Sequence, residues 1–480
     1  MIQAVLTPLQ ENEISRQSYV ELIRRAASRK DILTWGKLLF PQKFVLPFCH
    51  ELHDYFIDIR HEAQTNTEAP RAHAKTTIKC FLIPIFQALN EPQIYKHYLN
   101  VQSTEDKANS INNSIKYEIE TNELIKNIYG DMINPDKWTA GQFVLKNGVV
   151  FTAVGAGQSI RGINFKNIRP DYIIVDDLYD EENINNVDST KKINDWFFGS
   201  LFFALAQHKK TCIHVQGTAI NACDLLELLK KNKDWKSKTF CAIKNWATKE
   251  ILWKELKTYD QLMSYKESVG SIIFARECQN DRASDSESVI RRSWLKTYKQ
   301  SEMVYDRHRV LHEILLGVDP SIGKTQESDY TGIALSLKVK YADSSAFEWH
   351  ILNLWNEHLS IDKRVLKLVE IYNRYKDILP RVPWKANIEA ISGFEDYASE
   401  VKRRTSLVVN EINQVKDKMT NLMNKSALFE AGKVLFSDQI NPTLYDTAAH
   451  QLTTNYPEHD DLRDAVLITL EKQGGPWAFL

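Results

Sequence analysis

The sequence predicts a chain of two successive α/β domains, and three observations lead to this prediction. A length of 480 residues exceeds what a single hydrophobic core usually supports, so two domains with connecting pieces are expected. In the first half, Tyr172 to Val175 form a β-branched apolar run that ends in two aspartates, as a buried parallel strand does at its carboxyl edge. In the second half, from about Arg309, three strand-like runs precede alternating helices and strands.

The composition is that of an ordinary soluble protein. Hydrophobic residues make up 43% of the chain, charged residues 26%, and the formal net charge is −1, so a nucleic-acid surface would have to be a local patch. The 6 cysteines are scattered without a C-x-x-C pair, which argues against a disulfide framework or a cysteine zinc site. The sequence lacks a signal-peptide pattern and any apolar run near the ~20 residues of a membrane span. We therefore expect a soluble cytosolic protein that is not secreted.

Residues Ala69 to Thr76 have the ending of a phosphate-binding loop. In such loops the lysine, here Lys75, reaches the β- and γ-phosphates, and the following threonine binds Mg²⁺ at the start of a helix. Both glycine positions of the G-x-x-x-x-G-K-[ST] spacing, Ala69 and Ala74, are alanine, which removes the low-cost positive φ angles that glycine allows. The loop alone does not establish a nucleotide site.

The strand that ends in Asp176 and Asp177 supplies the acidic partner of this loop. One carboxylate can hold Mg²⁺ through its water shell, and the next can orient or deprotonate an attacking water. An Asp-Asp turn without function is the alternative, but the two motifs together are far more specific than either. Gly217 and Thr218 end another apolar strand, where a residue that senses the γ-phosphate would lie. The first half thus predicts a P-loop (RecA/ASCE-like) ATPase domain that uses ATP with Mg²⁺.

The segments between these motifs also carry secondary-structure signals. TIKCFLIPI and HYLNVQS are strand-like in composition, although a phosphate loop requires a helix after it. Asn147 and Gly148 lie between two apolar runs and predict a β-hairpin. Upstream, Gln42 and several aromatic residues precede an amphipathic helix, an arrangement that ATPases often present to the adenine ring.

The second half has the element order of a ribonuclease H-like fold. Three strands (LHEILLGVDPS, TGIALSLKVKY and FEWHILNLWNE) are followed by helix, strand, helix, strand and then helices to the end. Asp319 ends the first strand, and Glu389 lies in the fourth strand beside it. A closing helix carries further acids on one face by i, i+3 and i, i+4 spacing, namely Asp460, Asp461 and Asp464.

Carboxylates that converge from separate elements, without His or Cys ligands, suit two divalent cations (Mg²⁺ or Mn²⁺) about 4 Å apart. Such a pair activates water and stabilises the leaving oxygen of a phosphodiester. Any single one of these acids is more often a cap or a surface residue than a metal ligand, whereas the ordered set predicts metal chemistry. The second half therefore predicts an RNase H-like nuclease domain.

Four regions follow from these signals. Helical patterns dominate the beginning, including an amphipathic stretch from Ser15 to Lys30. Short polar pieces between Asp234 and Ile290 mark a boundary. The predicted regions are an N-terminal helical, adenine-side segment (1–60), the ATPase domain (61–250), a subdomain or linker (251–308) and the nuclease domain (309–480).

Three motifs are more specific than the rest. They are Q-S-I-R-G…R-P-D-Y-I-I-V-D-D between Gln158 and Asp177, G-V-D-P between Gly317 and Pro320, and H-D-D-L-R-D-A from His459. With both halves, they make the sequence resemble the large subunit of tailed-phage terminases, over most of the chain. The resemblance implies ATP-driven translocation of viral DNA into a procapsid and metal-dependent endonucleolytic cleavage of concatemeric DNA.

The resemblance also implies roles for individual residues. In the ATPase domain, Asp177 stands where the family usually has a catalytic glutamate, and Arg161, followed by Gly162, would act as a finger on a neighbouring subunit's nucleotide. The other residues that would contact ATP or its Mg²⁺ are Arg71, Ala74, Lys75, Thr76, Asp176 and Thr218.

In the nuclease domain, the resemblance assigns the catalytic acids to Asp319, Glu389 and Asp461, with Asp460 and Asp464 as neighbours in the metal site. Lysines near the nuclease strands border DNA in similar proteins, and a solvated helix is the alternative for them. These lysines are Lys416, Lys418 and Lys425.

The implied partners are double-stranded DNA, a small terminase subunit and the portal protein of a procapsid. On the portal the subunits would form a homo-oligomeric ring, in the cytoplasm of an infected bacterial host. One alternative is a helicase-like ATPase fused to a resolvase-type nuclease, but the interval between residues 220 and 310 is too short for a second RecA-like domain. Another is a degenerate prophage protein that binds DNA or capsid without hydrolysis, which the alanines of the loop favour.

Overall fold

The protein consists of two compact α/β units. The first unit runs to Met263 and takes in Phe274–Arg282, whereas the second takes in Ser264–Ile273 and the described residues after Arg282. The four-region division made from the sequence stays a prediction. The structure, a computed structural model, describes residues 16–160, 163–179, 187–207, 210–220, 223–282, 288–320, 330–342, 346–379, 382–389, 395–412, 418–455, 457 and 459–470.

An eight-stranded sheet forms the centre of the first unit. A separate two-stranded ribbon follows it in the chain. The strands of the large sheet are β1 (Gln64–Glu68), β2 (His97–Gln102), β3 (Ile133–Trp138), β4 (Gln142–Leu145), β5 (Val150–Gly155), β6 (Tyr172–Asp176), β7 (Cys212–Gly217) and β8 (Lys236–Thr239), and those of the ribbon are β9 (Ile243–Asn245) and β10 (Glu250–Ile251).

The strand order of the large sheet is β3-β4-β5-β2-β6-β7-β1-β8. Strands β3, β4 and β5 pair in antiparallel fashion, and the remaining neighbours are parallel. The predicted hairpin at Asn147 and Gly148 joins β4 to β5. Strand β7 lies between β1, which precedes the phosphate loop, and β6, which ends in the aspartate pair. This order is the one that RecA/ASCE-like ATPases have, and it confirms the predicted fold class of this unit.

Helices cover the faces of this sheet and connect its strands. They are α1 (Arg16–Ser28), α2 (Ile32–Leu39), α3 (His50–Asp58), α4 (Ile83–Asn90), α5 (Glu105–Thr121), α6 (Glu123–Tyr129), α7 (Val187–Trp196) and α8 (Leu225–Lys230). Two more helices, α9 (Tyr259–Val269) and α10 (Ser271–Gln279), follow the ribbon, and the boundary between the two units falls within each of them.

Two features of the first unit differ from the sequence pattern. Strand β1 reads QTNTE, yet four of its five residues are buried, and hydrogen bonds compensate part of this burial: Thr65 Oγ1 lies 2.6 Å from His214 Nδ1, and Asn66 Nδ2 donates to the Leu226 carbonyl at 2.8 Å. TIKCFLIPI is a helix and not a strand: Thr77–Leu82 form a π-helical turn that continues into α4. Because this helix is buried on nearly every side, its composition equals that of a buried strand.

A seven-stranded sheet forms the centre of the second unit, in the order β11-β17-β14-β13-β12-β15-β16. Its strands are β11 (Lys296–Tyr298), β12 (Arg309–Asp319), β13 (Thr331–Tyr341), β14 (Phe347–Glu357), β15 (Trp384–Glu389), β16 (Val408–Ile412) and β17 (Val434–Ser437). Its helices are α11 (Ile361–Tyr375), α12 (Glu395–Arg404), α13 (Lys418–Glu430), α14 (Pro442–Thr453) and α15 (Asp461–Thr469).

The pairing of this second sheet confirms the predicted RNase H-like arrangement. Strands β12, β13 and β14 are antiparallel, and β15 and β16 then add in parallel on the side of β12. The prediction of helices alone after β16 is wrong, because β17 intervenes and pairs in parallel with β14. Within the described ranges, every helix is too short or too polar to cross a membrane.

Candidate functional sites

The phosphate loop joins β1 to the π-helical turn and contains two alanines with positive φ angles. Ala72 and Ala74 have φ angles of 64° and 58°, in the left-handed region that glycine enters readily and other residues enter at a cost of about 1–2 kcal/mol. Ala69, the other glycine position of the motif, is fully buried and is not among the residues with positive φ. The loop therefore has backbone strain at two alanines.

Lys75 connects this loop with two other strands of the sheet. Its side chain is buried, and its Nζ donates to Thr218 Oγ1 at 2.8 Å. The same Nζ lies 3.4 Å from Asp177 Oδ1. Three residues that the sequence assigned to one nucleotide site therefore meet, although they follow different strands.

Asp176 is buried at the end of β6. Thr76 Oγ1 donates to Asp176 Oδ2 at 2.5 Å, and Gln216 Nε2 donates to Asp176 Oδ1 at 3.0 Å. Burial, and next the charge of Asp177, raise the pKa of Asp176 to about 6, while Lys75 and the two hydrogen bonds oppose this rise. A hydroxyl and a carboxylate in contact are the hard oxygen donors that Mg²⁺ prefers, so these residues fit the implied metal.

Asp177 differs from Asp176 in exposure and in backbone conformation. Its side chain is 50% exposed, and its φ angle of 40° is positive. A strained residue with an accessible carboxylate next to a buried acid is frequent at functional sites. We refer to Lys75, Thr76, Asp176, Asp177 and Thr218 together as the phosphate-loop site.

The segment Phe274–Arg282 also contacts this site, which the sequence did not indicate. The Glu277 carbonyl accepts from the Arg71 backbone N–H at 2.9 Å, and Asn280 Oδ1 accepts from the Ala219 backbone N–H at 2.9 Å. These contacts hold the loop and the end of β7 from a region that the polar composition predicted to be a boundary. No local motif marks Glu277 or Asn280, because their partners are distant in sequence.

Three carboxylates converge in the second unit, from Asp319, Glu389 and Asp464. Each offers one oxygen, and these oxygens all lie within 4.8 Å of one another. Asp319 and Glu389 end the neighbouring parallel strands β12 and β15, where Val318 is paired with Ile388. We call these three residues the carboxylate cluster.

Two glycines allow the helix that carries Asp464 to approach the sheet. A Cβ atom added at Gly317 of β12 would lie 2.1 Å from the Ala465 carbonyl oxygen. One added at Gly332 of β13 would lie 2.2 Å from the Asp461 carbonyl oxygen. Because real Cβ atoms do not come so close, only glycine at these positions permits α15 to bring its first turn to the end of β12.

The electrostatics of the cluster are those of several acids sharing a buried space. Burial raises the pKa of Glu389, and the charges of Asp464 and Asp460 raise it further. The pKa of Asp464 is also raised, first by burial, while the charge of Lys418 opposes this and that of Asp460 adds to it. Repulsion of this kind favours a bound divalent cation, and an all-oxygen donor set suits Mg²⁺ or Mn²⁺.

The other sequence-predicted residues of this unit take different positions. Asp460 accepts from Lys418 Nζ at 2.8 Å and from Arg463 Nη2 at 2.7 Å. Asp461, which the resemblance placed ahead of Asp464, is buried, and its Oδ2 has no hydrogen-bond partner among the described residues. Lys425 is buried within α13. Two further predicted residues, Arg161 and Lys416, lie outside the described residues.

Comparison with known proteins gives the following findings. Neither a family model nor a curated protein matches the sequence. The crystal structure of the HK97 bacteriophage large terminase matches with 11% identity over 87% of this chain and 93% of that chain, at a TM-score of 0.35. The Thermus phage P74-26 large terminase ATPase domain matches with 11% identity over 46% of this chain and 88% of that chain, at a TM-score of 0.30.

The human cytomegalovirus terminase nuclease domain, soaked with Mn, matches with 15% identity over 36% of this chain and 87% of that chain, at a TM-score of 0.27. At these identities and TM-scores the matches carry no argument about activity.

Proposed function

We propose that this chain is the large subunit of a viral terminase, an ATPase that drives double-stranded DNA into a procapsid and a metal-dependent endonuclease that cuts concatemeric DNA. The observation that carries the proposal is the presence of two acidic sites in one chain, one in each α/β unit. The phosphate-loop site has the residues for ATP hydrolysis, and the carboxylate cluster has those for phosphodiester cleavage. A protein that both moves and cuts DNA needs this pair of chemistries.

In the phosphate-loop site, ATP with Mg²⁺ supplies the reacting phosphate and the positive charge that offsets it. The ammonium of Lys75, now bonded to Thr218, would turn to the β- and γ-phosphates. Thr76 and Asp176 would hold Mg²⁺ through their oxygens. Asp177, with its accessible carboxylate, would orient the attacking water and accept its proton.

Loss of the lysine bond would leave Thr218 free to respond to the γ-phosphate. Thr218 directly follows β7, and its neighbour Ala219 is held by Asn280. A change at Thr218 would therefore reach Asn280, which directly follows α10, through the hydrogen bond of Ala219.

In the carboxylate cluster, divalent cations would activate a water and stabilise the leaving oxygen of the phosphodiester. The chain itself holds Asp319, Glu389 and Asp464 on rigid elements, so that their oxygens face one another before any cation arrives. The chemistry needs only phosphate, water and cations, so the cut would have no sequence preference of its own. Lys418, half-exposed beside the cluster, is the better placed of the two described lysines to contact a DNA phosphate.

The remaining features of a terminase follow as parts of the same proposal. Translocation requires a ring of subunits on the portal protein, a small subunit that selects the DNA, and Arg161 acting on the nucleotide of a neighbouring subunit. These partners belong to an infected bacterial cell.

The proposal is tested by separating the two activities in the full-length chain. Lys75→Ala should lose DNA-stimulated ATP hydrolysis by about a hundredfold or more and keep plasmid cleavage in Mn²⁺. Asp464→Asn should show the opposite pattern. Lys146→Ala and Asp446→Asn are matched controls, because both residues are exposed and form only surface ion pairs, with Asp131 and Arg292, and both variants should keep both activities.

Each result has a distinct meaning. Normal hydrolysis by Lys75→Ala would exclude this loop as the ATP site. Normal cleavage by Asp464→Asn, after contaminating nucleases are excluded by a matched control preparation, would exclude the cluster as the nuclease site. A wild-type chain that binds DNA but hydrolyses no ATP would favour a degenerate packaging protein.

A further inference from the structure

We propose that Lys418 is a built-in counter-ion of the carboxylate cluster: its ammonium compensates the acids when no metal is bound, and a divalent cation must displace it. The inference rests on the nuclease function proposed above and concerns how that site is regulated. It predicts a property that the acids alone would not have, which is that a residue of the chain itself weakens metal binding.

The contacts of Lys418 carry this inference. Its Nζ lies 2.8 Å from Asp464 Oδ2 and 2.8 Å from Asp460 Oδ2. Asp464 is one of the three residues of the cluster, and its side chain is only 2% exposed. The ammonium therefore places its charge on an oxygen of a buried ligand carboxylate, where a cation bound by Asp464 would also place its charge.

A second cation near the cluster differs from Lys418 in mobility. Arg463 contacts the same two acids, through Nη2 to Asp460 at 2.7 Å and Nε to Asp464 at 3.3 Å. Its side chain is 4% exposed, its Nη1 donates to the Asn455 carbonyl, and its backbone N–H donates to Gln451. Arg463 is thus a fixed part of α15.

Among the residues that the structure describes, the side chain of Lys418 has no hydrogen-bond or ion-pair partner other than Asp460 and Asp464. It lies at the first residue of a different helix, α13, and 48% of its side chain is exposed. A long flexible stem of this kind can move its charged end into water without unfolding its helix. Of the two cations on these acids, Lys418 is the one that can leave when metal arrives.

Displacement of Lys418 has a consequence for DNA. Once a cation neutralises Asp464, the ammonium is released next to the place where a scissile phosphate would bind. Metal should then strengthen DNA binding, and DNA should strengthen metal binding by the same factor, because linked equilibria are reciprocal. Because of Lys418, the site would therefore be fully occupied by metal only when DNA is bound.

The test is an isothermal calorimetric titration of the full-length, nucleotide-free chain with Mn²⁺. Lys418→Met removes the charge and keeps an unbranched side chain that is one atom shorter, and the variant should bind Mn²⁺ at least about tenfold more tightly than the wild type. Lys433→Met is the matched control, since Lys433 pairs with Glu348 at 3.2 Å in the same unit, and it should bind as the wild type does. Asp464→Asn should abolish the signal.

A second measurement does not depend on metal affinity. Without metal, Lys418→Met should melt at a lower temperature than the wild type, because the acids lose their counter-ion, and saturating Mn²⁺ should remove the difference. If Lys418→Met does not fold, Lys418→Gln gives the same comparison.

The outcomes separate this inference from the nuclease proposal. Mn²⁺ affinity in Lys418→Met that equals or falls below that of the wild type, while Asp464→Asn has lost binding, would overturn the counter-ion role and leave the metal site standing. Equal Mn²⁺ binding by the wild type, Lys418→Met and Asp464→Asn, or no binding by any of the three, would overturn both.

Discussion

Restoring the two missing glycines of the phosphate loop should have opposite effects, and the difference can be worked out from the backbone. Ala74 has a φ angle of 58°, which costs an L-residue about 1–2 kcal/mol that glycine does not pay. Glycine also gives the unfolded chain more freedom, at about 0.5–1 kcal/mol. Ala74→Gly should therefore leave stability unchanged or raise it by up to about 1.5 kcal/mol.

Ala69→Gly also increases the conformational entropy of the unfolded chain, but it relieves no backbone strain. Ala69 is fully buried and is not among the residues with positive φ, so the substitution also removes a buried methyl group at roughly 0.8 kcal/mol. It should destabilise the first unit by about 1.5 kcal/mol, which places the two variants about 2 kcal/mol apart.

Urea unfolding of the full-length chain measures this difference as a shift in the midpoint of the first unit's transition. The sequence motif has glycine at both positions, and it alone would predict that glycine raises stability at each. If Ala69→Gly proves as stable as Ala74→Gly, or more so, the argument from backbone strain fails.

Three further predictions concern stability. The first unit should lose stability as the pH falls from 6.5 towards about 4. Burial lowers the pKa of His53 and His73 to about 4, so in this pH range the unfolded chain binds protons that the folded chain does not. In denaturant titrations His53→Gln should weaken the pH dependence of stability, whereas His50→Gln, at an exposed histidine, should leave it unchanged. Arg282→Met should lower the free energy of unfolding, measured in urea, by about 3–5 kcal/mol, because it leaves the buried carboxylates of Glu68 and Asp224 without their ion-pair partner. The exposed control Arg292→Met should lower it by less than about 1 kcal/mol. An equally small loss in Arg282→Met would show that this network does not stabilise the fold. Gly317→Ala should lower the melting temperature of the second unit and weaken Mn²⁺ binding, because its Cβ would collide with α15. The control Gly199→Ala, where an added Cβ meets nothing within 4 Å, should change neither property. Mn²⁺ binding by Gly317→Ala that equals that of the wild type would contradict the role of the close approach.

The sequence predicted the strands that contain runs of apolar residues. Strand β6 is a β-branched run between polar segments, and the Asn147-Gly148 turn requires the positive φ that Gly148 has, at 82°. Strand β1 could not be predicted in this way, because polar residues fill it and their partners lie on other strands and on α8. Hydrophobic periodicity indicates which apolar side chains are buried, but it does not indicate buried polar side chains.

The choice between Asp461 and Asp464 shows a second limit. The i, i+3 spacing puts both on one face of α15, so the pattern alone does not decide which one meets Asp319 and Glu389. The decision depends on how closely the helix approaches β12 and β13, which Gly317 and Gly332 set. A contact such as that between Arg71 and Glu277, 206 residues apart, has no local signal at all.

The most direct test of the central claim, that one chain holds a nucleotide site and a separate metal site, is anomalous diffraction from crystals of the full-length chain grown with Mn²⁺ and a non-hydrolysable ATP analogue. We predict Mn²⁺ peaks in the carboxylate cluster, bound by Asp319, Glu389 and Asp464, and one further peak between Thr76, Asp176 and the phosphates. Nucleotide bound away from Lys75, or a carboxylate cluster without Mn²⁺ at saturating concentration, would contradict the account.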